Sequence, residues 1–194
     1  MAGKQAKALS EEHLQEALEY VEQHTHHPLR NRVMFLLSHK AGLRAKEISA
    51  LQWTMVTDEK GNLLDVLELP DSATKGHSGR TIPLHRDLQT VLTLLNRITR
   101  PQAENHIIRS SRSESMTAAS VVNWFWYLYR RLGFDRCSSH SGRRTFITKA
   151  ARKISEAGGS LRDVQQLAGH ANLTTTQRYI EGSDQAKRKV VDLI

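Results

Sequence analysis

The chain has 194 residues, with 28 Lys and Arg against 20 Asp and Glu, a formal charge of +8. A chain of this length suits one domain that buries roughly 70% of its unfolded surface, so no metal or disulfide staple is required. The single cysteine, Cys137, excludes an intrachain disulfide framework and fits a reducing cytoplasm; no apolar run nears the ~20 residues of a membrane span, and the opening MAGKQAKALSEEH lacks a secretory h-region. Charged residues make up 25% of the chain and hydrophobic ones 39%, a globular balance, and the basic excess points to a polyanionic partner, foremost nucleic acid.

In chain order, residues 1–9 form a basic leader. Ser10 is placed to cap a helix whose Leu14, Ala17, Leu18 and Val21 recur at helical spacing. After Pro28, the stretch Leu29 to Lys40 reads as a largely buried helix ending at Gly42, and Arg44 to Leu51 as a short helix of its own. The period then changes. Trp53 to Thr57, Leu63 to Leu69 and Arg80 to Leu84 are short and apolar or β-branched, separated by DEKGN and PDSATKGHSG. They predict a three-stranded antiparallel meander with a long second connection.

Helices then resume. Leu88, Val91, Leu92, Leu95 and Ile98 make one apolar stripe that Pro101 terminates. Thr117 can cap a helix through Phe125 and Tyr129 to Gly133, and another runs from about His140 to Lys153. Ser160 opens a capping box with Asp163, and that helix closes at Gly169. Residues 183–194 carry a further apolar stripe through Val190, Val191 and Ile194. The fold class expected is mainly α with one small antiparallel sheet (α+β).

Several separated segments present a cation or a proton-transfer group at an element boundary. In AGLRAKEISAL, Glu47 lies three residues after Arg44 and can orient its guanidinium, or the two form an ordinary surface ion pair. In TKGHSGRTIPL, Lys75 sits on a Gly-rich connection, a mobile cation able to reach a phosphate or a solvated charge; Lys60 and Arg80 are nearby cations. In SSHSGRRTF, His140 and Arg143 share one face at a helix start, where free N–H groups and the dipole favour an anion. Arg144 turns about 100° away on that spacing. In QLAGHANLTTTQRYIEG, His170 follows the helix-ending Gly169, and Tyr179 comes nine residues later. Taken singly, each is also a common structural residue.

Other clusters carry less. His24, His26 and His27 have no acidic or cysteine partner at ligand spacing, so no metal site is expected. Cys137, three residues before His140, lacks the rest of a cysteine-nucleophile site. Trp124, Phe125, Trp126, Tyr127 and Tyr129 are too dense for one helix face and belong mostly to the core. Lys46, Lys149 and Arg178 are candidate contacts to a nucleic-acid backbone, or solvated charges.

In this order and spacing, the segments resemble the catalytic domain of the tyrosine recombinase (phage integrase) family over residues 10–182. Arg44 matches the family's first arginine, Lys75 its β-hairpin lysine, His140 and Arg143 its H-x-x-R, His170 its L-G-H histidine and Tyr179 its nucleophile. The resemblance implies a site-specific recombinase that needs no metal, ATP or other cofactor. Tyr179 would attack a DNA phosphodiester to give a 3′-phosphotyrosine and a free 5′-OH. Arg44, Arg143 and His170 would surround the non-bridging oxygens, His140 would accept the phenol proton, and Lys75 would protonate the leaving oxygen.

The partners implied are double-stranded DNA and further copies of the chain, four on DNA, in the cytoplasm. The helix over 183–194 would dock into a neighbouring protomer or fold back on its own core. The similarity begins almost at the first residue, so the additional N-terminal helical domain of most members is not expected. Arg144 stands where the family often has a histidine. A type IB topoisomerase-like strand transferase and a non-catalytic DNA-binding regulator are the alternatives on the same fold.

Overall fold

The structure, a computed structural model, describes residues 6–74 and 78–180 together with Arg188, Val191 and Asp192. Lys75 and nearly all of the predicted helix over 183–194 lie outside the described residues. Helix α1 (Glu11–His24) starts where Ser10 Oγ accepts the His13 N–H at 3.1 Å, and it buries Leu14, Ala17 and Val21. Leu9 is buried too, and its N–H donates to Thr145 Oγ1 at 2.8 Å, so the end of the basic leader packs on a later helix.

Helix α2 (Pro28–Lys40) is the hub. Val33 through Leu37 are all buried, as a helix packed on several faces requires, and its neighbours are α1, α4 (Arg86–Thr99) and α6 (Ser141–Lys153). Helix α3 (Ala45–Ala50) packs against α5 (Ala118–Arg131), which Thr117 caps by accepting the Ser120 N–H at 3.1 Å. Phe125 and Tyr129 of α5 are buried and Trp124 half-buried, whereas Trp126 and Tyr127 face outward. The α4 stripe is buried through Leu95 and ends there: Ile98 is 66% exposed, beside Pro101 on an open groove.

The sheet has two strands rather than the three expected. β1 (Val66–Leu69) and β2 (Arg80–Pro83) pair antiparallel, with Leu67 opposite Ile82 and Leu69 opposite Arg80. Trp53–Met55 is a 3-10 turn, and the only trace of the third strand among the described residues is an isolated bridge between Thr57 and Leu63. The cause is competition for backbone partners: the N–H groups of Trp53 and Thr54 donate to Asn105 and Ala103 carbonyls at 3.1 and 2.9 Å, tying this segment to a different loop.

Two short helices complete the described chain. α7 (Leu161–Ala168) opens with the Ser160–Asp163 capping box, and α8 (Leu173–Gln177) occupies the Thr-rich stretch before Tyr179. Between α6 and α7 lies a small second apolar cluster of Ile147, Val164 and Ala168, with Phe146 and Tyr179 against it. No helix among the described residues is long and apolar enough to cross a membrane.

Candidate active site

The site is organised on the C-terminal end of α7. Helix ends leave carbonyls without intrahelical partners and carry negative partial charge. Three arginines converge on them, Arg80 from β2, Arg143 from α6 and Arg44 from the N-cap of α3. Arg80 Nε donates to the Leu167 carbonyl at 2.9 Å, Arg143 Nη2 to the Ala168 carbonyl at 2.6 Å, and Arg44 Nη2 makes a longer contact of 3.4 Å to the Gly169 carbonyl. Gly169 permits this crowding. Its φ of +58° is left-handed, and a Cβ there would sit 2.7 Å from Arg80 Nη1.

Beneath Arg44 lies Glu47, 1% exposed. Its Oε1 accepts from Arg44 Nη1 at 2.8 Å and Arg80 Nη1 at 3.1 Å; its Oε2 accepts from the Arg44 backbone N–H at 2.8 Å and Arg80 Nη2 at 3.0 Å. Burial alone would raise the carboxyl pKa, but hydrogen bonds and charge from Arg80, then from Arg44, hold it below the ordinary carboxylate value. Glu47 is therefore an anion clamped between two guanidinium groups. The sequence pairs it with Arg44 and misses Arg80, the first residue of β2.

Arg143, on the first turn of α6, is 4% exposed. Its second arm, Nη1, donates to the Gly42 carbonyl at 2.6 Å. Gly42 has φ +65°, and a Cβ there would lie 2.4 Å from Phe146 Cδ1, so only glycine brings that carbonyl to Arg143. Burial, then the neighbouring Arg44 charge, lowers the Arg143 pKa; a guanidinium with two carbonyl acceptors keeps its proton at neutral pH all the same.

Above these groups opens a cleft of about 630 Å³, and Arg44, His140, Arg143, His170, Arg178 and Tyr179 all line it. The Tyr179 ring stacks on the His170 ring with centroids 5.7 Å apart, and Arg143 lies within Coulombic reach of Tyr179. His170 Nδ1 meets the buried Thr176 Oγ1 at 2.9 Å. Desolvation, followed by the charges of Arg143, Arg44 and Arg80, pushes the His170 pKa down to about 4; desolvation, then Arg143 and Arg44, also lowers that of His140. Both imidazoles are neutral at pH 7. One can donate to an anion and the other can accept a proton.

Six of the predicted residues thus share one cleft or its floor: Arg44, Glu47, His140, Arg143, His170 and Tyr179. Of the DNA-binding candidates, Arg178 lines the cleft and Lys46 is exposed on α3, two residues from Arg44. Lys149 does not line it and instead forms an ion pair with Glu11 of α1. Arg144 corrects the sequence reading. It lines the same cleft, with its Cζ 5.7 Å from the Tyr179 ring centroid, because a long side chain spans the 100° offset from Arg143. Cys137 also borders the cleft, but burial raises its thiol pKa, which leaves it a poor nucleophile. Of the other histidines set aside, His27 Nε2 bonds Ser111 Oγ at 2.9 Å and His24 packs on Tyr20.

Residues 7–186 match the pattern of the Phage integrase family. Tyrosine recombinase XerC of Xanthomonas campestris pv. campestris (strain B100) is 31% identical over 180 residues, covering 91% of this chain and 52% of the relative. Tyrosine recombinase XerA of Thermococcus onnurineus (strain NA1) is 30% identical over 164 residues, covering 82% of this chain and 54% of the relative. The chain therefore spans about half the length of these relatives. Among solved structures, the Tn1549 transposon integrase in complex with a circular intermediate DNA superposes over 100% of this chain and 67% of its own, with a TM-score of 0.75 at 16% identity. XerH bound to difH covers 98% of this chain and 55% of its own, with a TM-score of 0.73 at 21% identity. At such identities the likeness is one of fold.

Proposed function

The chain belongs to the phage integrase family, and we propose that it breaks and rejoins DNA at specific sites as a tyrosine recombinase, through a 3′-phosphotyrosine. The observation that carries the proposal is the meeting of Tyr179 with Arg44, Arg143, His140 and His170 in one cleft. A phenol ordinarily titrates near pH 10 and is a weak nucleophile at neutral pH. Attack therefore needs a base for its proton and fixed positive charge for the oxygens that gain negative charge at phosphorus.

His140 takes the Tyr179 proton as the Tyr179 oxygen bonds to phosphorus. The non-bridging oxygens lie against the guanidinium groups of Arg44 and Arg143, held in place before DNA arrives by Glu47 and the backbone carbonyls. We assign Thr176, 2.9 Å from Nδ1, as the donor to that nitrogen, so that His170 carries its proton on Nε2 and supplies a further donor. The bond from phosphorus to O5′ breaks, and Lys75, matched to the family's hairpin lysine, protonates the departing oxygen. The ester keeps the energy of the broken linkage, so a second 5′-OH can reverse the step without ATP, and no metal takes part.

Double-stranded DNA is the partner we assign, with four copies assembled on it. Exchange between two duplexes requires cutting four strands, and each copy holds one nucleophile. The cytoplasm is the compartment we assign, and the basic excess suits the DNA. The test uses nicked duplexes tiled across the DNA that flanks the chain's own gene, in which cleavage releases a short strand and traps the adduct. Wild type is expected to form a covalent complex, and Tyr179→Phe to bind the same duplex without one. Sequence-specific binding with no adduct in wild type supports a regulator instead. Relaxation of supercoils without partner exchange supports a topoisomerase.

A further inference from the structure

Arg80 is not among the residues matched to the family in the sequence and does not line the cleft, yet its side chain makes more hydrogen bonds than that of either arginine assigned to the phosphate. Its side chain is 5% exposed. Nε donates to Leu167 O at 2.9 Å, Nη1 to Glu47 Oε1 at 3.1 Å and to Ser78 O at 3.4 Å, and Nη2 to Glu47 Oε2 at 3.0 Å. Its backbone is fixed by the β1–β2 ladder, opposite Leu69. Taking the proposed strand cleavage as the reaction, we propose that Arg80 is a positioning residue for it: by fixing Glu47 and the end of α7, it sets where the Arg44 fork and the His170 ring face the scissile phosphate.

The chemistry requires such a residue. Glu47 presents two buried oxygens, and Arg44 already bonds both, one through its side chain and one through its backbone N–H. Without a competitor, the carboxylate draws the remaining Arg44 donors onto itself and turns the fork away from the cleft. Arg80 takes a share of each oxygen, which leaves Arg44 anchored by Nη1 with Nη2 toward the α7 terminus. The third arm of Arg80 then ties that same terminus, whose next residues are Gly169 and His170, to β2. Only a planar fork reaches both oxygens of Glu47 and a carbonyl at once; a lysine offers a single nitrogen.

The test is a single-turnover cleavage assay with the chain in excess over the nicked duplex that wild type cleaves, reading rate constant and final amplitude separately. Arg80→Gln is expected to lower the rate constant by about 10- to 100-fold, the scale on which small misplacements of catalytic groups act. Amplitude and DNA affinity stay near wild type, and Arg80→Lys, which keeps the charge, recovers part of the rate. The losses in Arg80→Gln and Glu47→Gln do not add in the double variant, because one acts through the other. An unchanged rate constant overturns the proposal, as does a loss confined to amplitude, which marks a folding role, or to affinity, which marks a DNA contact. If Arg80→Gln does not fold, Arg80→Lys gives the same reading. Wild type that forms no adduct overturns the functional reading itself, and this inference with it.

Discussion

The Thr176 hydroxyl, buried on α8, meets His170 Nδ1 at 2.9 Å and holds the ring in its orientation; in the proposed reaction it donates there and leaves the ring proton on Nε2. Thr176→Val removes it at little change in volume. The cleavage rate constant is expected to fall by about tenfold or more, short of the ~10²–10³ that loss of a whole oxyanion donor costs, with DNA affinity unchanged. Single-turnover kinetics and a binding isotherm check it. Residues such as Thr176 and Arg80 were not legible in the sequence, whereas Arg44, His140, Arg143, His170 and Tyr179 were. The latter sit in short motifs whose residue types announce charge or proton transfer. Arg80 gains its meaning only from Glu47, 33 positions away, and Leu167, 87 positions away, and nothing local encodes either separation.

At the scale of elements, helices were legible because their signals are local. Ser10 caps α1, Thr117 caps α5 and the Ser160–Asp163 box opens α7, all within a turn of the residues they satisfy. The segment over 53–57 misled because its apolar, β-branched residues suit a strand, while its N–H groups are claimed by residues 103 and 105. The end of α7 joins fold to function. Gly169→Ala places a side chain at φ +58° and within 2.7 Å of Arg80 Nη1. We expect a loss of at least about 1 kcal/mol of stability from the backbone conformation alone, together with a slower cleavage step. Denaturant unfolding and single-turnover cleavage, run on one preparation, check both.

For the whole molecule, pH acts through histidines folded in their neutral form. His39 is buried in α2, donates Nδ1–H to the Phe35 carbonyl at 2.9 Å, and has its pKa pushed down from 6.5 to about 4, chiefly by desolvation. As pH falls below 6.5 the unfolded chain takes the proton first, so this contribution is present above 6.5 and is lost as pH falls toward 4. The loss at pH 5 is about 2 kcal/mol from this group. Denaturant unfolding at pH 7.5 and 5 is expected to show the drop in wild type and a smaller one in His39→Gln, with His170 and His140 supplying the remaining slope. The basic charge was legible from composition; the hub position of α2 was not, since the helices packed on it, α1, α4 and α6, are spread widely along the chain. The Tyr179 oxygen is the atom proposed to take the phosphate, and mass spectrometry of the trypsin-digested covalent complex tests that most directly. The predicted result is a nucleotide joined through its 3′-phosphate to the peptide running from Tyr179 to Lys187. A linkage to any other residue, or through a 5′-phosphate, contradicts it.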